Sequence, residues 1–419
     1  MQRFVVAILI VFSALHAQLV SGLEAEVYTT KGERVAGELT GSADGLQVGG
    51  RRLLPAEVLL VRFSAVAPPD RVPSGVFLRG GTMLTGKLDS LLADEASCTS
   101  AVLGKELKFK REDLAGAFFP MSSNDPENFP ALGRYARLLA ALDTNAPLDE
   151  GPLSFSPGKR DRVTLMNLDS TDGKLMKLGT EKALVELPKG EIDAKNRTAI
   201  RLIECKVQPL PPPTPEEKRA GPEIIVRLLA GDLIRGRLSK VDATSVVLQT
   251  RFAGAFTIPR ETVSVLYPAG GPGTGLEWLS SLKPARNVHT PLYDAKFPAK
   301  MNLSCDGRMM FMNGLPCDKG IGVHSRSELA YALKPTAGTR FVALVGIDDE
   351  TNGRGAADAK VFVNGKETWT NAVTPKAAPA VAVADLATAT ELKLFVDYGA
   401  DGDESGDHVN WGWAAIVGP

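Results

Sequence analysis

The sequence is poor in the residues that usually carry chemistry. Of 419 residues, four are cysteine and four histidine, and their spacing matches no zinc site. There is no glycine-rich phosphate loop followed by lysine, and no nucleophile elbow. Neither charge sign dominates: 48 Lys+Arg against 49 Asp+Glu give a net charge of -1. That balance points away from nucleic acid and from an anionic membrane surface as partners. Beyond the first residues, no apolar stretch is long enough to span a bilayer.

The chain opens with a short basic start over residues 1–3, an apolar run over 4–15 and the small residues Val20-Ser21-Gly22. This reads as a secretory signal over 1–22, with the mature chain beginning near Leu23. The other reading is an uncleaved N-terminal anchor. The expected location is therefore secreted, periplasmic or cell-envelope, where thiols can oxidise. Cys305 and Cys317 close a short loop and are the predicted disulfide. Cys98 and Cys205 lie far apart in sequence, and their pairing stays open.

Residues 26–267 carry an internal repeat. Openings of the form strand, glycine turn, strand recur around Gly37-Glu38-Leu39, Gly86-Lys87-Leu88, Gly173-Lys174-Leu175 and Gly236-Arg237-Leu238. Three copies close on similar pieces, Leu54-Pro55-Ala56-Glu57, Phe109-Lys110-Arg111-Glu112 and Ile258-Pro259-Arg260-Glu261. Residues 192–203 are a looser match. One such unit cannot bury an apolar face alone; it must curl into a small barrel or pair with a neighbour. The expectation is an all-β chain with tandem SH3-like or β-meander units: two over 23–120, a third over 162–208 and a fourth over 223–268. Residues 121–161 form an insertion with a helix predicted over 130–142, from its apolar spacing and initial proline. Residues 209–222 read as an extended proline-rich linker.

Residues 275–419 read as many short strands, with Asn364-Gly365 marking a hairpin. Three blocks stand out: Lys319-Gly320-Ile321-Gly322-Val323-His324, then Gly346-Ile347-Asp348-Asp349, then Asp407-His408-Val409-Asn410-Trp411. With Leu279-Ser280-Ser281-Leu282 before them, the ordered set resembles the NPCBM family, a carbohydrate-binding module first described beside family 98 glycoside hydrolases. The resemblance covers the C-terminal third. It implies a galactose-binding-like jelly-roll sandwich and sugar binding at loops on one end. Residues 306–316 look like an insertion relative to that family.

A sugar site needs polar loop groups for hydroxyls and an aromatic face for the ring. The candidates are Asp348, Asp349, Arg354, His408 and Trp411, with Trp413 a weaker stacker. His324 and Asp407 read as structural. Carboxylates cluster at Asp348-Asp349-Glu350 and at Asp397, Asp401, Asp403, Glu404 and Asp407. They read first as turn residues. A structural Ca²⁺ is a second reading, and a glycosidase acid–base pair a third. No other cofactor is called for, and metal-ligating residues stay unassigned. The function expected is an exported, non-catalytic glycan- or polysaccharide-binding protein. The alternative is a cell-envelope scaffold whose sandwich binds a protein partner and no glycan. A glycoside hydrolase comes third, because the N-terminal half is repeat and leaves no segment for a catalytic domain.

Overall fold

The computed structural model describes residues 24–63, 74–119, 160–206, 222–271 and 274–419, except 168, 294 and 335, with the backbone of 71–72 and 121–122. The predicted signal over 1–22, helix over 130–142 and linker residues 209–221 lie outside the described residues. Among the described residues the chain is all-β, built from several antiparallel sheets, and no helix is long and apolar enough to cross a membrane.

Four units repeat one plan. In the first, strands Glu24–Thr29, Arg34–Ser42, Gly45–Val48 and Arg51–Leu53 pair in succession. A 3-10 turn, Pro55–Glu57, leads into Val58–Arg62, which returns to pair with the opening strand. The same order runs from Gly75–Leu78 to Leu114–Phe118, from Asp161–Leu165 to Ile200–Glu204, and from Glu223–Leu228 to Val263–Pro268. The glycine of each Gly-x-Leu opening allows close strand approach. At Gly86, Gly173 and Gly236 a Cβ would lie 2.0, 2.5 and 2.6 Å from a carbonyl oxygen of the neighbouring strand, so only glycine fits there.

The units pair through their closing strands. Val61 faces Leu266, joining the first unit to the fourth, and Ala117 faces Ile203, joining the second to the third. The two pairs touch where Met83 faces Leu233. Beside that contact the fully buried Asp232 accepts from Thr85 N at 2.8 Å and Thr85 Oγ1 at 2.6 Å.

Residues 275–419 form two facing sheets. One orders Lys300–Met301, Gly320–His324, His408–Val417, Arg340–Ile347 and Ala380–Asp385, with Leu276–Trp278 added against His408–Val417. The other orders Arg286–His289, Ser327–Ala332, Glu391–Tyr398, Ala357–Val363 and Lys366–Val373. Side chains alternate along a strand. Phe341, Ala343 and Val345 therefore point between the sheets, onto Leu329, Tyr331, Val361 and Leu394. Val342 and Leu344 point the other way, onto the repeat units.

That second face is a continuous apolar contact. Trp413 packs on Tyr267 of the fourth unit with centroids 4.5 Å apart, and on Trp278 at 5.8 Å. Residues 306–316, the segment that looked inserted, supply most of a hairpin of Met310–Met312 and Leu315–Cys317. Its Met310, Met312, Leu315 and Cys317 fill the same contact. A buried ion pair, Arg227 with Asp318, crosses it.

The predicted disulfide is corrected: Cys305 and Cys317 are separate buried thiols. Cys317 faces the repeat contact and lies over Gly412, where a Cβ would meet its Sγ at 2.8 Å. Cys305 sits in a different place, in the turn beside His408. Cys98 and Cys205 are also buried free thiols.

Candidate functional site

Loops following several strands converge at one end of the sandwich. The backbone joins them directly: Asp348 N donates to His408 O at 2.8 Å. Asp407 is fully enclosed and ties three segments, accepting from Ser325 Oγ at 2.6 Å and Ala356 N at 2.8 Å. The buried Glu404 anchors a fourth segment, accepting from Leu292 N at 2.6 Å and Tyr293 N at 3.0 Å.

The acidic block at Asp348-Asp349-Glu350 divides its labour. Asp348 caps the 3-10 turn Asp349–Thr351, accepting from Glu350 N at 2.8 Å, Asn410 Nδ2 at 2.5 Å and Phe311 N at 3.2 Å. Burial, then the nearby Glu350 carboxylate, pushes its carboxyl above the usual range. Asp349 accepts from Asn313 N at 2.8 Å and Gly314 N at 2.9 Å. It thereby caps the turn of the docking hairpin, whose two central residues have φ of 48° and 69°. Glu350 accepts from Ser304 Oγ at 2.6 Å, Asp306 N at 3.2 Å and His408 Nδ1 at 2.9 Å. Burial opposes its charge, but the His408 and Ser304 hydrogen bonds prevail and hold its carboxyl below the ordinary value. Burial also opposes a charged His408, and the same carboxylate outweighs it, so the ring sits above the ordinary histidine value.

The three histidines beyond residue 22 come together here. Phe297 N donates to His289 Nδ1 at 3.1 Å, so His289 carries its proton on Nε2 and donates to Ser325 O at 2.9 Å. His324 Nδ1 donates to the same oxygen at 2.7 Å. Burial holds the His324 ring below the ordinary value. Phe297 stacks on it at 4.5 Å and 14°, and the His408 ring lies 5.3 Å from His324.

Two of the sequence candidates are corrected outright. Trp411 is 1% exposed between the sheets, and Trp413 is 0% exposed against the repeat units; neither presents a face to a ligand. Asp348 and Asp349 have their carboxylates occupied by N–H donors, which makes them loop anchors. Arg354 remains exposed, with Nε donating to Thr351 O at 3.4 Å, and His408 stays half-buried at the loop junction. Sequence reasoning missed Tyr293 and Phe297. Tyr293 is 62% exposed and lies beside Leu292 at 48%. Their loop carries no motif; the signal was two large apolar residues in a proline-flanked segment.

Curated proteins offer no match to this chain. Among solved structures, a CBM51 from Clostridium perfringens GH95 in complex with methyl-galactose is 25% identical, covering 34% of this chain and 99% of that one, with a TM-score of 0.30. CBM51-2 in complex with GlcNAc and INT domains from Clostridium perfringens ZmpB is 21% identical over 42% of this chain and 37% of that one, TM-score 0.31. The tandem CBM51 modules of Sp3GH98 from Streptococcus pneumoniae SP3-BS71 are 9% identical over 94% of this chain and 88% of that one, TM-score 0.30. One family model matches, and it matches where the four sequence motifs lie: residues 275–417 of this chain are an NPCBM/NEW2 domain.

Proposed function

We propose that the chain is an exported, non-catalytic glycan-binding protein. The four N-terminal units are read as SH3-like, and the sandwich as a galactose-binding-like jelly roll. The sugar is held at the end where residues 290–297, 348–355 and 401–408 meet. The observation that carries this is Tyr293: a large ring left 62% exposed while its backbone is fixed by a buried glutamate. A fixed, exposed aromatic face suits the apolar face of a sugar ring. Arg354 supplies charge-assisted hydrogen bonds to hydroxyls, and His408 with Phe297 forms the floor. The NPCBM/NEW2 match over 275–417 supports the same reading.

Affinity is expected to be weak, on the order of 0.1–1 mM, because a small exposed site must offset lost freedom and polar desolvation. The test is a glycan array of neutral oligosaccharides probed with the full chain lacking residues 1–22. Tyr293→Ala and Arg354→Ala alter exposed side chains and leave the core intact. Each should lower binding to any hit by at least about tenfold. A hit retained unchanged by both variants places the sugar elsewhere, and folded protein that binds no neutral sugar even at millimolar concentration refutes the reading.

A further inference from the structure

We infer that Cys305, Asp306 and His408 form a binding site for a thiophilic divalent metal of the Zn²⁺ class. One ligand atom from each, a thiol sulfur, a carboxylate oxygen and a ring nitrogen, lie within 4.8 Å of one another. In a tetrahedral site with bonds of about 2.0–2.3 Å the donor atoms stand about 3.3–3.8 Å apart. The remaining approach is small, and of the three side chains Asp306 is the exposed one.

Sulfur, imidazole and a carboxylate together select the metal. Ca²⁺ and Mg²⁺ take oxygen donors and have no use for a thiolate. The mixed set suits Zn²⁺ and its spectroscopic substitute Co²⁺. Three protein ligands leave a fourth position for water.

The ligands are held in place before any metal arrives. Glu350 accepts from Ser304 Oγ, Asp306 N and His408 Nδ1, so one buried carboxylate fixes both ligand-bearing segments. A carboxylate on the ring of a ligating histidine is the usual outer-shell support in zinc sites. The turn itself is closed by Arg308 N donating to Ser304 Oγ at 3.0 Å and by Lys300 Nζ donating to Cys305 O. Cys305 is 1% exposed, which shields it from disulfide exchange in an oxidising compartment. This site shares His408 with the glycan reading but does not rest on it, and it is measured without any sugar.

The experiment is titration of the metal-free full chain with Co²⁺, followed by Zn²⁺. The expected result is one Co²⁺ per chain with a thiolate-to-cobalt charge-transfer band, removed when Zn²⁺ displaces it. Cys305→Ser should abolish the band. Glu350→Gln, a positioning change, should weaken the metal by about 10–100-fold. Asp306→Asn, at an exposed side chain, should weaken it by about tenfold or more without unfolding the protein. A folded parent that gives no thiolate band overturns the assignment. So does a band that survives unchanged in Cys305→Ser, or a Co²⁺ affinity left unchanged by Asp306→Asn.

Discussion

The guanidinium of Arg197, at the first position of the third unit's 3-10 turn, donates to the carbonyl oxygen of Leu88 in the second unit. It also reaches Asp89 O at 3.0 Å and Gly179 O at 2.7 Å. Leu88 closes a Gly-x-Leu opening, and the relationship recurs. Arg111 reaches Leu175 O at 2.5 Å, and Arg260 reaches Leu39 O at 2.9 Å. The first unit has Pro55 at the matching position, so the inner pair is clasped from both sides and the outer pair from one. Arg197→Ala should cost about 2–4 kcal/mol, since it leaves buried carbonyls without their charged donor. Arg197→Lys should recover little, because an ammonium cannot span three carbonyls as the planar fork does. Urea unfolding midpoints of the two variants against the parent give the answer.

Asp232 joins the two pairs of units. Burial pushes its carboxyl up despite the Thr85 hydrogen bonds. A group whose folded pKa is raised contributes stability below its unfolded value, here 3.8, and loses it as pH rises through the folded value. Asp232→Asn keeps an acceptor for Thr85 N and donates to Thr85 Oγ1. It should match or exceed the parent's stability at pH 7, with the difference vanishing towards pH 3. Asp232→Ala should lose about 1–3 kcal/mol at pH 7, because the buried Thr85 N–H is left unpaired. Denaturant midpoints measured across pH 3–8 check both directions.

Asp349 holds the hairpin turn at Asn313-Gly314. Asp349→Ala should destabilise by about 1–3 kcal/mol through two unpaired backbone donors. Its more specific signature is faster amide exchange at Asn313 and Gly314, while the strand Glu391–Tyr398 keeps its protection. Unchanged exchange at that turn would show that the cap does not hold the hairpin.

The sandwich depends on the units for cover. Cut at residue 275, it would present Trp413, Met310, Met312 and Leu315 to water, an apolar surface of the kind that drives association. The isolated 275–419 fragment should self-associate in sedimentation where the full chain does not. Trp413→Ala in the full chain should cost about 3–5 kcal/mol by leaving a large cavity.

Much of the strand pattern was legible, because glycine turns and alternation act locally. The partner choice among units was not: it is made by edge strands through backbone groups, and Arg111, Arg197 and Arg260 mark the 3-10 turns without saying which unit's carbonyls they reach. The two tryptophans failed for a local reason. Trp411 and Trp413 are two apart and should share a face. The ladder slips opposite Val342 and Leu344, and Trp413 takes a φ of 54°. That bulge turns its indole through the sheet, so one ring enters the sandwich core and the other the contact with the units. The acidic blocks pointed correctly to where loops gather, but composition could not separate Asp349, fastened to a hairpin turn, from Arg354, left in solvent.

The pairing of first with fourth and second with third is nested, and a ribosome delivers the chain from one end. The second unit finds its mate as soon as residue 204 has been made. The first must wait with the edge of Val58–Arg62 uncovered until Val263–Pro268 arrives, some two hundred residues later. An exposed strand edge is a template for wrong partners. The order of assembly therefore runs from the inside outward, and the outer pair is where a crowded or interrupted synthesis should first go astray.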